Sequence, residues 1–108
     1  GRVLILGFTF KENCPDIRNT RVVDIYRELE DYELNIDVYD PWANPEQVRN
    51  EHHIDILSSQ PDTDQYDAII LCVSHHQFKS LVPTRKTNGQ VWYDVKGFWN
   101  KNDVPTRL

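Results

Sequence analysis

Residues 3–29 read VLILGFTFKENCPDIRNTRVVDIYREL, and a change of period within them decides the fold. Val3, Leu4, Ile5 and Leu6 are a continuous apolar run of β-formers ended by Gly7. That is the pattern of a strand buried on both faces. Residues 8–18 form a loop that carries Pro15 and several polar positions. Val22, Ile25, Tyr26 and Leu29 then recur at i, i+3, i+4 and i+7, the apolar stripe of an amphipathic helix. Asn19 or Thr20 is its expected N-cap, and Arg27 with Asp31 makes an i,i+4 charge pair.

Outward from this unit the alternation continues. Asn35 to Tyr39 (NIDVY) is a second strand, closed by Asp40-Pro41. A short helix is expected from Pro45 to about Asn50, with proline at its first position. His53 to Leu57 (HIDIL) alternates like a short edge strand, and residues 58–65 are a polar loop. Tyr66 to Val73 (YDAIILCV) is the most apolar run and hence the central strand. One or two helical turns fit between His75 and Val82. A cationic loop with the turn signal Asn88-Gly89 follows. Val91 to Val95 (VWYDV) is the last strand, and residues 99–108 are a tail. Strands alternating with helices predict a three-layer, Rossmann-like α/β domain with a mostly parallel sheet, one domain over residues 1–108.

The charge balance narrows the partners. Twelve basic and 17 acidic residues give a net charge of −5, which excludes an electrostatic footprint for nucleic acid or an anionic membrane. No apolar run approaches ~18 residues, so no membrane span is expected, and no signal peptide is visible. The opening Gly1, with no methionine anywhere, reads as the start of a domain inside a longer chain. Cys14 and Cys72 are too few for a disulfide framework and read as reduced thiols of a cytoplasmic protein.

In open α/β sheets ligands sit beyond the carboxyl ends of the strands, where strand order reverses. Three segments are expected there: Phe8 to Arg18, residues 74–76, and Asp94 to Gly97. A dinucleotide would need GxGxxG in the first of them. Gly7 is followed instead by Phe8 and Phe10, which keep the backbone away from a pyrophosphate. The loop offers Lys11 and Arg18, close to a helix start, a combination suited to phosphate. The plainer readings are a solvated Lys11 and an Arg18 paired with Asp16. His52-His53 and His75-His76 invite a metal, but adjacent strand residues point to opposite faces and no carboxylate or thiol spacing completes a site, so none is assigned. His75 is expected to line the cleft. Asp40 stands where a ribose-binding acid could sit and is read as a turn device. Trp42, Trp92 and Trp99 are read as packing residues rather than base-stacking ones.

Residues 6–20, LGFTFKENCPDIRNT, resemble the motif LG-x-x-F-K-x-x-x-x-D-x-R-x-S/T that opens the C-terminal domain of the UDP-glucose/GDP-mannose dehydrogenase family. VYDPWA (38–43), YDAIILCVSHHQF (66–78) and YDVKG (93–97) are similar to later family segments in the same order. The resemblance implies a UDP-sugar-binding domain. Its parent would hold NAD on an N-terminal Rossmann domain and a catalytic cysteine on a central dimerisation helix, and would oxidise C6 of a nucleotide sugar to the uronate in two hydride transfers. No catalytic residue then falls within this chain, and Cys14 is not the nucleophile. By position, Phe10 and Lys11 match the pair that contacts the UDP moiety. Arg18 matches the arginine that reaches across the cleft to NAD, and Lys96 a basic residue facing substrate. Asp16 is expected to orient Lys11 or Arg18. Asn13-Cys14-Pro15 together with VYDPWA looks more like the UDP-N-acetylhexosamine subgroup, which implies surface polysaccharide synthesis by a cytoplasmic homodimer or larger assembly. The alternative is a non-catalytic α/β structural or interaction domain. A phosphoacceptor receiver would need an acidic pair where Gly7-Phe8-Thr9 stands.

Overall fold

The computed structural model describes residues 1–9, 13–18, 20–73, 75–80, 90–94 and 106–107. Its strands are β1 (Arg2–Leu6), β2 (Asn35–Tyr39), β3 (Ala68–Leu71), β4 (Val91–Asp94) and β5 (Thr106–Arg107). All pair in parallel, in the order β2-β1-β3-β4-β5. This is a doubly-wound order whose reversal point lies between β1 and β3.

The apolar run of β1 explains its place inside the sheet, between β2 and β3. Its side chains alternate between two cores. Ile5 joins Phe8, Val38, Val48, Ile54 and Val73 on one face, and Leu4 and Leu6 join Ile69, Leu71, Phe78 and Trp92 on the other. Helix α1 (Val22–Glu30) lays Ile25, Tyr26 and Leu29 on the first face, as its stripe predicts. Thr20 Oγ1 accepts the Val22 N–H at 3.1 Å, while the capping position itself is Arg21, with no side-chain bond. Arg27 does not pair with Asp31. It bonds Glu30 at 2.9 Å, one residue nearer, and donates to the carbonyl of His52 at 2.7 Å.

Helix α2 (Pro45–His52) starts under an Asn44 cap, whose Oδ1 accepts the N–H groups of Glu46 and Gln47. It runs two residues beyond the expected end and stops at His53, whose φ of 58° is left-handed. The expected edge strand over 53–57 shrinks to a single bridge between Tyr39 and Leu57. Helical turns after β3 appear as a 3₁₀ segment, His76–Ser80. The tail adds β5, which the sequence did not announce. No helix among the described residues is long and apolar enough to cross a membrane.

Candidate functional site

Gly7 ends β1 with φ of 95° and lies so close to Val73 that a Cβ there would come within 2.6 Å of its Cβ and 2.7 Å of its backbone nitrogen. The ends of β1 and β3 are thus drawn together at the reversal point. Thr9 and Asn13 of the chain leaving β1 meet His75 of the chain leaving β3 over the carboxyl edge of the sheet.

What joins them is a buried polar network. Asp40, at the end of β2, has a fully buried side chain. Its Oδ2 accepts the N–H of Phe8 at 2.6 Å, of Thr9 at 3.0 Å, and Nε2 of His75 at 2.8 Å. Its Oδ1 accepts the Trp42 N–H at 2.7 Å. His75 is 0% exposed. Its Nδ1 accepts the Asn13 N–H at 2.8 Å. A backbone N–H can only donate, so Nδ1 carries a lone pair, and Nε2 holds the proton that points at Asp40. The ring is neutral and the carboxylate ionised. Burial alone would push the Asp40 carboxyl up. The hydrogen bonds from His75, Phe8 and Thr9 outweigh it and hold the group below the usual carboxylate value.

One sequence reading is corrected here and one is extended. His75 does not line a cleft; it is buried and bonded to Thr9 and Asn13. Asp40 does make the expected turn, through Trp42, but it also holds the start of the 8–18 loop. Sequence reasoning had both residues at strand ends and missed their partnership. The signal available was an acid at the ribose-binding position of a sheet that lacks the glycines such an acid serves.

Asp40 also bears on NAD. A dinucleotide seated in the usual way needs free N–H groups at the β1 turn. Those of Phe8 and Thr9 are bonded to Asp40, so an internal carboxylate occupies the place of the pyrophosphate. Among the described residues, the β1 turn does not fit NAD seated in this way.

Of the residues singled out from sequence, Phe10, Lys11 and Lys96 lie outside the described residues. Arg18 is exposed. Its N–H donates to Asp16 Oδ1 at 2.9 Å, so Asp16 shapes the backbone before the helix. With Cys14, Pro15, Asp16 and Ile17, Arg18 forms one wall of a cleft of about 760 Å³, whose other wall is Gln47, Asn50 and Glu51 of α2. His52 ties the walls together: its Nε2 bonds the Ile17 carbonyl at 2.7 Å, and its ring meets Phe8 edge-on at 5.5 Å. The first N–H of α1 is taken by Thr20, so the helix start is less open to an anion than its sequence suggests. Trp42 packs against His75 and His76, with its N–H on Gln77 at 2.9 Å, which agrees with a packing role. Cys14 is half-buried and Cys72 buried, both free thiols. Among the described residues no group of three or more His, Cys, Asp and Glu could hold a metal.

Comparison with known proteins fits this arrangement. A sequence profile described as "UDP-glucose/GDP-mannose dehydrogenase family, UDP binding domain" matches residues 4–101. The chain is 56% identical, over 73% of its length, to a UDP-N-acetyl-D-glucosamine 6-dehydrogenase of Salmonella typhi, of which it covers 18%. It is 51% identical, over 99% of its length, to the enzyme of that name from Pseudomonas aeruginosa, of which it covers 26%. It therefore spans about a quarter or less of these relatives. The fold is shared with a UDP-glucose dehydrogenase from Pyrobaculum islandicum at a TM-score of 0.70 and 24% identity, covering 98% of this chain and 24% of that one.

Proposed function

The chain belongs to the UDP-glucose/GDP-mannose dehydrogenase family, and from that premise we propose that it is the domain of an NAD-dependent nucleotide-sugar 6-dehydrogenase that grips the uridine diphosphate of the substrate. The supporting observation is the anchoring of Thr9 and Asn13 over the β1/β3 edge. Thr9 and Asn13, on either side of Phe10 and Lys11 in the sequence, are both tied to His75. Thr9 and Asn13 therefore stand at the edge where open α/β sheets receive ligands.

In this reading Lys11 and Phe10 contact the UDP moiety, and Lys96 faces the substrate. A lysine ammonium on a diphosphate oxygen makes a charge-assisted hydrogen bond, stronger than a neutral one. Arg18, exposed on the rim of the cleft, reaches toward NAD. NAD, the hydride acceptor when bound, is held mainly by segments outside this chain, consistent with the crevice that Asp40 fills. The parent oxidises C6 of a UDP-hexose or UDP-N-acetylhexosamine to the uronate in two hydride transfers. It acts in the cytoplasm, as a homodimer or larger assembly, in surface polysaccharide synthesis. The names of the Salmonella and Pseudomonas relatives make UDP-N-acetylglucosamine the first substrate to try.

The test is steady-state kinetics of the parent enzyme, followed by NADH formation. Lys11→Ala is expected to lower kcat/KM for the sugar nucleotide by roughly 1.5–3 kcal/mol, about one to two orders of magnitude, with the fold intact. Wild-type kinetics in a folded Lys11→Ala enzyme would remove the assignment and favour an interaction domain. Arg18→Ala is expected to raise KM for NAD more than KM for the sugar nucleotide; the reverse order refutes its role.

A further inference from the structure

We propose that His75 is a positioning residue for substrate binding, its two ring nitrogens fixing the two ends of the segment from Thr9 to Asn13. The proposal rests on the reading of Lys11 as a diphosphate contact, because Phe10 and Lys11 lie between those anchors in the sequence.

The geometry is specific. Nδ1 accepts the Asn13 N–H at 2.8 Å. Nε2 lies 2.8 Å from Asp40 Oδ2 and 3.0 Å from Thr9 Oγ1, so its one proton is shared between a carboxylate and a hydroxyl oxygen. Both ring nitrogens are used, and each serves a different end of the segment. At the Thr9 end, Asp40 also takes the backbone N–H groups of Phe8 and Thr9. At the Asn13 end, the backbone is left-handed with φ of 55°, a conformation that asparagine tolerates. Asn13 Oδ1 accepts the His76 N–H at 3.0 Å and sits 2.9 Å from His76 Nδ1. The imidazole cannot swing away. Phe78 packs at 5.6 Å between ring centroids and Trp42 at 6.1 Å.

An apolar side chain of similar size would fill the same space. A doubly bonded imidazole does something filling does not: it sets the span between two points of a loop. A loop fixed at both ends before the ligand arrives loses less entropy on binding, and this appears as affinity. The effect should fall on the sugar nucleotide and spare NAD.

The experiment uses the parent enzyme with UDP-N-acetylglucosamine and NAD, and compares His75→Phe, His75→Asn and His75→Gln with Lys11→Ala. The asparagine oxygen can stand in for Nδ1 toward Asn13. The glutamine amide can stand in for Nε2 toward Asp40. His75→Phe is expected to raise KM for the sugar nucleotide, and Kd for UDP, about two- to tenfold, with KM for NAD and kcat little changed. His75→Asn and His75→Gln should each recover part of the loss. If His75→Phe does not fold, Thr9→Val removes the hydroxyl contact to His75 while keeping both Asn13 and Asp40 on the ring, and should raise the same KM in the same direction by a smaller factor. Unchanged sugar-nucleotide KM in folded His75→Phe or Thr9→Val, or an equal rise in both KM values, overturns the role of His75. If Lys11→Ala still weakens binding in that case, the function stands and only this inference falls. Wild-type kinetics for Lys11→Ala remove both.

Discussion

Asp40→Ala is expected to cost about 3–5 kcal/mol of folding stability through the donors it strips, a large part of the roughly 5–15 kcal/mol that a domain has. The reason is the number of donors left behind. Phe8, Thr9 and Trp42 each lose an acceptor for a backbone N–H, and His75 loses one of the two oxygens that share its Nε2 proton. A buried donor stripped of its partner costs roughly 1–3 kcal/mol, and the sum is reduced by whatever water enters. Asp40→Asn keeps the shape but supplies one acceptor oxygen instead of two, and should fall between alanine and wild type. Urea midpoints of the three chains at neutral pH check the order; a midpoint for Asp40→Ala equal to wild type would show that the network contributes nothing. The same group sets an acid limit. Its carboxyl is held below its ordinary value in the folded state, so its contribution is fully present above about pH 4 and is lost as pH falls from there toward the lower folded value. Wild type should lose stability over that interval more steeply than Asp40→Ala, and parallel acid slopes would refute the assignment.

The fold was legible where apolar period and pairing coincide. Residues 35–39 became a strand with the expected bounds, and the stripe from Val22 to Leu29 became α1. Where burial and pairing part company, the pattern misleads. Residues 53–57 alternate because Ile54 and Ile56 are buried while Asp55 points out to Arg49 at 2.7 Å. Of that segment only the Leu57 N–H reaches the β2 ladder, at Val38 O. Likewise the run 66–73 is apolar throughout, yet β3 spans only Ala68–Leu71. Its register on β1 ends at Leu6 with Leu71, and beyond it Cys72 still donates to the Leu6 carbonyl at 2.9 Å. Periodicity reports what is covered, not what is hydrogen-bonded.

The candidate site shows a related limit. Cations on a loop after a strand can be picked out locally, which makes Lys11 and Arg18 candidates. The groups that hold the loop could not be read locally. Asp40 lies 32 residues from Phe8, and His75 lies 62 from Asn13. Contacts over such separations leave no spacing in the sequence. They follow only once β2 and β3 are known to flank β1, since that order brings their carboxyl ends to the same edge.

Gly7 carries the second large expected effect. Gly7→Ala should destabilise the chain by about 3 kcal/mol or more. Two terms combine. A left-handed φ of 95° costs a residue with a Cβ roughly 1–2 kcal/mol. Forcing that carbon into packed surroundings costs typically 1–3 kcal/mol more. The added methyl would stand 2.6 Å from Val73 Cβ, 2.7 Å from its nitrogen and 2.8 Å from its oxygen. Two of those atoms are backbone, so no rotamer change relieves the contact. Val73→Gly in the same chain removes the Cβ contact but neither backbone one and should not restore stability. Relief would require β1 and β3 to separate at their carboxyl ends, which carry Thr9 toward Asp40 and His75. Substrate affinity of whatever Gly7→Ala enzyme still folds should therefore fall along with its stability. A Gly7→Ala chain with wild-type urea midpoint, or a double variant restored by Val73→Gly, would mean that the strand ends are not held by the close approach seen here.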